Sequence, residues 1–310
     1  AMDYVELSDG EFQSWDRLIP TKALKNFRDM GNYLTSDGRA TVSTGQLFRS
    51  ANPADATPED AEVWLNEKNI DTWIDFRSKE EVAGPDNLKD HYDTVLITRT
   101  GDLKEISKAK KPGKRRRVHY TVDLDYVGAV KRFFQQHATI FEKLCMLIVA
   151  TLLKPFWPTG SLVVVRMFYG RVGLHGLYLT FLEQCQPQFA MALKLIATAP
   201  EGASLVNCML GKDRTGTISA LILLSLGVPA ERVSFDYSLT ETYLSREYIS
   251  NLLKPHNLDS EVLASSKKGT MSQMITYLVV RYGSVEQYLD KIGFDASWRT
   301  KLQVRYNKPS

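Results

Sequence analysis

Leu205-Val206-Asn207-Cys208-Met209-Leu210-Gly211-Lys212-Asp213-Arg214-Thr215-Gly216 is the stretch whose reading decides the fold. The short apolar run from Ala203 to Val206 has the composition of a buried strand. It leads directly into Cys208, five residues separate that cysteine from Arg214, and a long helix follows with Ile218, Leu221, Ile222, Leu223, Leu224 and Leu226. A helix that is apolar nearly all round lies at the centre of its domain. A strand feeding a glycine-containing loop at a helix N-terminus is a ready site for a phosphate dianion, because the loop amides point inward and the helix dipole favours negative charge. The expected cradle is the backbone of Met209, Leu210, Gly211, Lys212 and Asp213. The same field favours the thiolate of Cys208, its nucleophilic form. Arg214 adds a planar fork that can hold two phosphate oxygens at once.

Upstream the chain alternates strand and helix signals. Asn26-Phe27-Arg28-Asp29-Met30-Gly31-Asn32-Tyr33 precedes a hairpin signal at Asp37-Gly38, and Gln46 to Ser50 reads as a short strand. Arg28, Asp29 and Arg49 fit either a charged network beside the loop or structural ion pairs near the sheet ends. Thr57-Pro58-Glu59-Asp60 opens a helix, with threonine as cap, proline in the first turn and acids beside the helix dipole. Ile70 to Ser78 predicts a strand ending in polar residues, followed by a helical cap at Ser78-Lys79-Glu80-Glu81. Ligands in open α/β sheets gather at the carboxyl ends of strands, so Asp75 and Arg77 are expected near Cys208. Val95 to Thr98 suggests one more strand.

Residues 101–120 change character. Lys108, Lys110, Lys111, Lys114, Arg115, Arg116 and Arg117 crowd around Pro112 and Gly113, which predicts a loop. A solvated basic loop, a nuclear address and an anionic-surface patch are the three readings. Residues 122–153 have helical periodicity and pass into an apolar run, Leu144 to Leu153, too short for a bilayer, which needs about 20 apolar residues. A buried helical pair or an amphipathic lid over the site fits this run and the apolar patch from Leu162 to Phe168, with Phe156 and Trp157 suited to a membrane interface. Phe189, Leu193 and Ile196 mark one face of a further helix, and the C-terminal third reads as helices that complete the core.

Cys-x5-Arg filled by Gly-Lys-Asp-Arg-Thr-Gly resembles the signature loop of the atypical protein tyrosine and phosphoinositide phosphatases known from mycobacteria, Listeria and fungi. Asn-Phe-Arg-Asp-x-Gly at 26–31, Leu-Phe-Arg-Ser at 47–50, Asp-Phe-Arg-Ser-x-Glu-Glu at 75–81 and Phe235-Asp236-Tyr237 are similar to further motifs of that family. The resemblance covers residues 26–82 and 173–241, and no motif covers the middle of the chain. It implies an α/β fold with a mostly parallel central sheet flanked by helices. The chain, 1–310, is then a single phosphatase domain with a basic and apolar helical insertion or lid at about 101–170. It also implies two-step hydrolysis of a phosphomonoester through a phosphocysteine on Cys208, with Arg214 holding the phosphoryl group. Trp157-Pro158 is followed by threonine, so the general acid comes from another loop. Asp213 and Asp75 are the candidates, and the resemblance favours Asp213. Thr215 can donate its hydroxyl to the departing thiolate, and Lys212 suits a substrate with more than one phosphate. Most relatives carry histidine before the cysteine; Asn207 can hydrogen-bond the loop backbone but carries no charge.

Composition sets the remaining bounds. The 310 residues carry a net charge of +3, so nothing suggests a nucleic-acid partner. Three cysteines, Cys145, Cys185 and Cys208, fit a reducing compartment rather than a disulfide framework. Asp3, Glu6, Asp9 and Glu11 with no apolar segment are not the pattern of a secretory leader. The expected setting is cytoplasmic or peripheral to a membrane, with a phosphoprotein or phosphoinositide as substrate, an anionic membrane surface as partner, and no metal or organic cofactor. Two other readings stand beside the enzyme. One is a catalytically weak phosphoinositide-binding pseudophosphatase that uses the same nest as an adaptor. The other is a sulfurtransferase or arsenate reductase on a similar cysteine loop, against which Lys-Asp-Arg-Thr-Gly speaks.

Overall fold

The computed structural model describes residues 17–79, 81–82, 87–153, 155, 160–253 and 265–310. Phe12, Trp15, Phe156 and Trp157 lie outside the described residues. Nine strands are formed among the described residues: β1 (Arg28–Asp29), β2 (Ala40–Val42), β3 (Leu47–Ser50), β4 (Ile70–Asp75), β5 (Asp93–Ile97), β6 (Leu103–Ser107), β7 (Val118–Val122), β8 (Ala203–Asn207) and β9 (Asn307–Pro309). Seven form one sheet in the order β1-β3-β8-β4-β7-β5-β6, and β2 pairs with β9 in a small second one. The five inner strands run parallel, and only β1 and β6 at the edges are antiparallel.

The register brings the functional strand ends to one level. Ser50 of β3 and Asp75 of β4 both lie opposite Asn207 of β8, the residue before Cys208. β8 is buried at every position, and its side chains alternate between two cores. Val206 belongs to the larger core with Ile218, Leu221, Phe181 and Phe189, whereas Ala203 and Leu205 join Phe27, Phe48, Trp64 and Trp73 on the other face. In β4 the alternation slips between Ile70 and Thr72, where a bulge lets Ile70 and Trp73 share one face.

Twelve α-helices flank the sheet among the described residues. α1 (Pro58–Glu62) starts on a Thr57 capping box, as its sequence predicts, and runs on through a π-helical turn at Val63–Glu67. α2 (Tyr126–His137), α3 (Ile140–Ile148) and α4 (Gly160–Val172) form a subdomain with its own core of Phe133, Phe134, Val149, Val164 and Phe168. α5 (Leu174–Gln184) and α6 (Gln186–Ala197) lead into β8, and α7 (Asp213–Ser225) follows the cysteine loop. α8 (Ala230–Tyr243) is followed by α9 (Arg246–Leu253), which packs Ile249 in a small separate cluster with Leu210 and Leu244; α10 (Lys268–Tyr282), α11 (Val285–Lys291) and α12 (Ala296–Tyr306) close the larger core together with α8.

Two expectations for the middle of the chain change. Residues 101–120 are not loop throughout, because β6 and β7 are strands of the main sheet and β7 lies beside β4. Only the basic stretch between them is loop, and six of its seven cations lie near carboxylates. Lys110 and Lys111 approach Asp90, Lys108 approaches Asp93 and Glu105, Arg116 meets Asp93, and Arg115 and Arg117 meet Asp71. The helical part thus begins at α2. It is not buried on both sides either: Ile140, Phe141 and Leu144 of α3 face outward.

Candidate active site

Cys208 sits where β8 ends, 2% exposed, and the five residues to Lys212 turn the chain into α7. The turn needs glycine at 211. Its φ of +62° is left-handed, and a Cβ there would lie 2.3 Å from the Ser50 carbonyl oxygen. The loop carbonyls are tied outward. Asn52 N–H donates to Met209 O at 2.9 Å, Asn26 Nδ2 donates to Leu210 O at 3.1 Å and Gly211 O at 3.0 Å, and Arg49 Nη2 donates to Gly211 O at 2.9 Å. With those oxygens held outside, the peptide groups turn their N–H bonds toward the loop centre. No acceptor takes the amides of Met209, Leu210 or Gly211 among the described residues. That arrangement is an anion nest at a helix N-terminus.

The buttress behind the loop is a buried charge cluster. Asp236 of α8 takes Arg49 Nη1 at 2.6 Å and Arg28 Nε at 3.5 Å, and all three side chains are at most 1% exposed. Burial and the neighbouring Arg49 push Arg28 down to about 10. Asp29 takes no part in this cluster. It accepts the amides of Gly31 at 2.7 Å and Gly45 at 2.6 Å and shapes the turns there. Arg28 and Arg49 therefore join a network as expected, with Asp236 as its anion.

Arg214, on the first turn of α7, is aimed by Glu81. Its Nη1 and Nη2 meet the two Glu81 oxygens at 2.6 and 2.7 Å, and Nη1 also donates to Phe76 O at 2.7 Å. Burial opposes ionisation of Glu81, but Arg214 and the Ser78 amide outweigh it and hold the carboxyl below its usual range. The guanidinium plane is thus fixed before any phosphate arrives. Thr215 Oγ1, one residue on, is buried without a hydrogen-bond partner among the described residues. An orphan hydroxyl beside an anion nest fits a donor awaiting an acceptor.

The two candidate acids differ sharply. Asp75 is fully buried and gripped by Arg77, whose Nε lies 3.0 Å from both carboxylate oxygens and whose Nη2 lies 2.6 Å from Oδ2; His119 Nε2 is 3.2 Å away. Burial alone would raise its pKa, but the Arg77 charge and the His119 contact win and hold it well below the carboxylate range. Both Asp75 oxygens are thus engaged by Arg77, and Oδ2 by His119 as well. Asp213 opens α7 with its side chain 22% exposed. Its Oδ1 accepts from the Tyr178 hydroxyl of α5 at 2.9 Å and lies 3.5 Å from Lys212 Nζ. Tyr178 in turn hydrogen-bonds the Tyr237 hydroxyl. Lys212 is itself buried and donates to Ser265 O at 3.2 Å. Asn207 accepts from Trp73 Nε1 at 2.7 Å, and its amide reaches Cys208 O at 3.5 Å, which anchors the strand end without supplying charge.

A cavity of about 440 Å³ opens beside Arg214 at the carboxyl ends of β4, β5 and β7. Phe76, Leu96, Val122 and Leu124 give it apolar walls; Arg77, Lys79 and Arg99 also line it, as do Asp123 and Asp125, which pair with Arg99 at 3.3 and 3.4 Å. Among the described residues no group of three or more histidine, cysteine or acidic side chains is placed to hold a metal. Cys185 is far from reactive. Its Sγ donates to Leu124 O at 3.5 Å, and burial pushes the thiol up to about 12.

A sequence-family model described as the tyrosine phosphatase family matches residues 19–154 and 166–308 of this chain. A tyrosine-protein phosphatase of Nostoc commune is 29% identical over 138 residues, which take in 41% of this chain and 47% of that protein. The match thus spans about half the length of the curated relative.

Proposed function

The chain belongs to the tyrosine phosphatase family, and from that premise we propose that it is a cysteine-dependent phosphomonoester hydrolase. The observation that carries the reading is the loop from Cys208 to Lys212, with its carbonyls tied outward and its cysteine at the buried centre. Cys208 sulfur attacks phosphorus in line; the S–P bond forms as the bond to the leaving oxygen breaks. The amides of Met209 to Arg214 and the Arg214 guanidinium hold the equatorial oxygens, where charge is spread in the transition state. Asp213 gives its proton to the leaving oxygen and then takes one from the water that attacks the phosphocysteine. The thiolate departs with a hydrogen bond from Thr215, and inorganic phosphate leaves. The grip of Arg77 and His119 on Asp75 leaves the acid role to Asp213, with Asp75 as an anchor for the strand end.

The substrates we propose are phosphotyrosine proteins and phosphoinositides. The neighbouring cavity, with apolar walls and both basic and acidic residues in its lining, suits an aryl or inositol ring beside the scissile phosphate, and Lys212 adds charge for a second phosphate. The setting is a reducing one, cytoplasmic and peripheral to membrane. No helix among the described residues is long and apolar enough to cross a bilayer. A chromogenic aryl phosphate tests the reaction. Wild type should turn it over, and Cys208→Ser should abolish turnover while retaining vanadate binding. Turnover near wild type in that variant, or none in wild type, would end the enzyme reading and leave a phosphate-binding adaptor.

A further inference from the structure

α3 is amphipathic twice over. Its inner side packs Cys145, Met146 and Val149 against the core of the α2–α4 subdomain. Its outer side carries Ile140, Phe141, Leu144, Leu147, Ile148 and, in the turn beyond, Leu152, exposed by 87, 65, 52, 59, 40 and 68%. At about 100° per residue these six fall in one stripe roughly a third of the way round the helix. Scattered exposed leucines are ordinary, but a contiguous stripe of this size marks a contact surface.

The charge around the stripe says what it contacts. Of the described cations between residues 126 and 172, Arg132 pairs with Asp125 and Arg171 with an acid of the segment itself, which leaves Lys131 and Lys143 as the exposed unmatched ones; the single acid in that stretch of sequence is Glu142. That acid is withdrawn from the outer face. It is 5% exposed, closes the Thr139 capping box, and is clamped by Arg171 Nε at 2.9 Å and Nη2 at 2.8 Å. Lys131 and Lys143 are exposed. An apolar stripe in a segment with cations and no exposed carboxylate is the pattern of a helix lying in the headgroup region of an anionic bilayer. Pairing with a second copy would set two such positive segments against each other. The basic loop at 108–117, by contrast, has its cations matched by Asp71, Asp90, Asp93 and Glu105.

We propose that the outer face of α3 is an interfacial docking surface for an anionic lipid bilayer, into which Ile140, Phe141, Leu144 and Leu147 insert while lysine side chains meet the headgroups. α2 joins this surface to the site: it starts at Asp125 in the wall of the cavity and runs about 18 Å to α3. The purpose of the surface, delivering Cys208 to lipid phosphates, rests on the phosphatase reading; its existence does not.

The test is co-sedimentation with vesicles of phosphatidylcholine alone and of phosphatidylcholine with phosphatidylserine, at low and physiological salt, beside turnover of a soluble aryl phosphate. Wild type should pellet with the anionic vesicles and far less with neutral ones. Leu144→Ser with Leu147→Ser should lower the partition by about tenfold or more, because the exposed side chains lose the apolar phase they enter. Lys131→Glu with Lys143→Glu should lower it most at low salt. Both variants should keep wild-type turnover of the soluble substrate, which shows that they fold. Equal partition of wild type and the serine variant, or no partition of wild type at low salt, would overturn the proposal. So would a wild-type dimer that the serine pair dissociates without any vesicle binding, since a second copy would then own the face. Vesicle binding with no turnover would instead refute the enzyme and leave the surface standing.

Discussion

Replacing Asp236 should be the most destabilising change near the phosphate loop that touches neither Cys208 nor Arg214. The carboxylate faces two guanidiniums, Arg49 at 2.6 Å and Arg28 at 3.5 Å, and the Tyr33 hydroxyl at 3.4 Å, all in a buried site. Asp236→Ala leaves two uncompensated buried cations close to each other. Breaking one partner out of such a buried ionic group costs about 3–5 kcal/mol. At about 2.1 cal/mol/K of unfolding entropy per residue, each kcal/mol shifts the melting temperature of a chain this long by about 1.5 °C, so a fall of about 5–8 °C is expected. Arg49 also holds Gly211 O, so aryl phosphate turnover should fall as well. Burial works against ionisation of Asp236, and Arg28 and Arg49 outweigh it, so its folded pKa lies below the ordinary value of 3.8. Its stabilisation is therefore complete above about pH 5 and is lost as the pH falls through that lowered value. The stability gap between wild type and Asp236→Asn should be flat from about pH 8 to about pH 6 and close in acid. Urea unfolding across that range measures it. A loss under about 1 kcal/mol for the alanine variant, or a gap that widens in acid, would refute the buttress.

Asp213→Asn should cut turnover of alkyl phosphates by about 10²-fold or more and flatten the pH profile, whereas activated aryl substrates should suffer less. Asp75→Asn should instead lower stability and keep the pH profile; a swapped result in leaving-group series would exchange the two roles. Glu81→Gln removes one of two charge-assisted bonds that aim Arg214, so kcat/KM on an aryl phosphate should fall about tenfold with the pH profile kept. Cys185, with its thiol raised to about 12 and its Sγ held by Leu124 O, should not trap oxidised Cys208. Peptide mapping after mild peroxide should find no Cys185–Cys208 disulfide.

How far the sequence could be read depends on the distance over which each feature is determined. The cysteine loop is local: strand, glycine and helix follow one another within a dozen residues, and the φ at Gly211 is the one its sequence position suggests. The α1 cap is local too. The partners that tune the site are not. Glu81 stands 133 residues from Arg214, and Asp236 stands 187 from Arg49 and 208 from Arg28. Arg28 and Arg49 were legible as charges that need an anion, but Asp29, adjacent in sequence, was the natural choice until the fold brought α8 against the loop. The rule that ligands gather at strand ends put Asp75 at the right level of the sheet. It said nothing of Arg77 and His119, which grip the carboxylate. β7 is hard to read from sequence because Val118-His119-Tyr120-Thr121-Val122 follows a run of arginines and carries a buried histidine, so its apolar content is diluted.

The α3 segment shows the limit most clearly. An apolar run such as Leu144 to Leu153 registers as buried because composition cannot distinguish a face packed on protein from one turned outward. Only the packing of Cys145, Met146 and Val149 against α2 and α4 reveals that the opposite side is left uncovered among the described residues. The cost of that exposure is real: each large apolar side chain left in water forfeits about 1.5–3 kcal/mol relative to burial. A fold that keeps six of them in one stripe, and turns its single nearby carboxylate inward, is organised for a second phase rather than for water alone. The same reasoning explains why the basic loop is the weaker candidate for that contact. Its charge count in sequence is high, but acids on β4, on β5 and in the turn before it meet the cations in the folded chain. Charge that the fold has already matched attracts little, whereas the α3 stripe is exposed among the described residues.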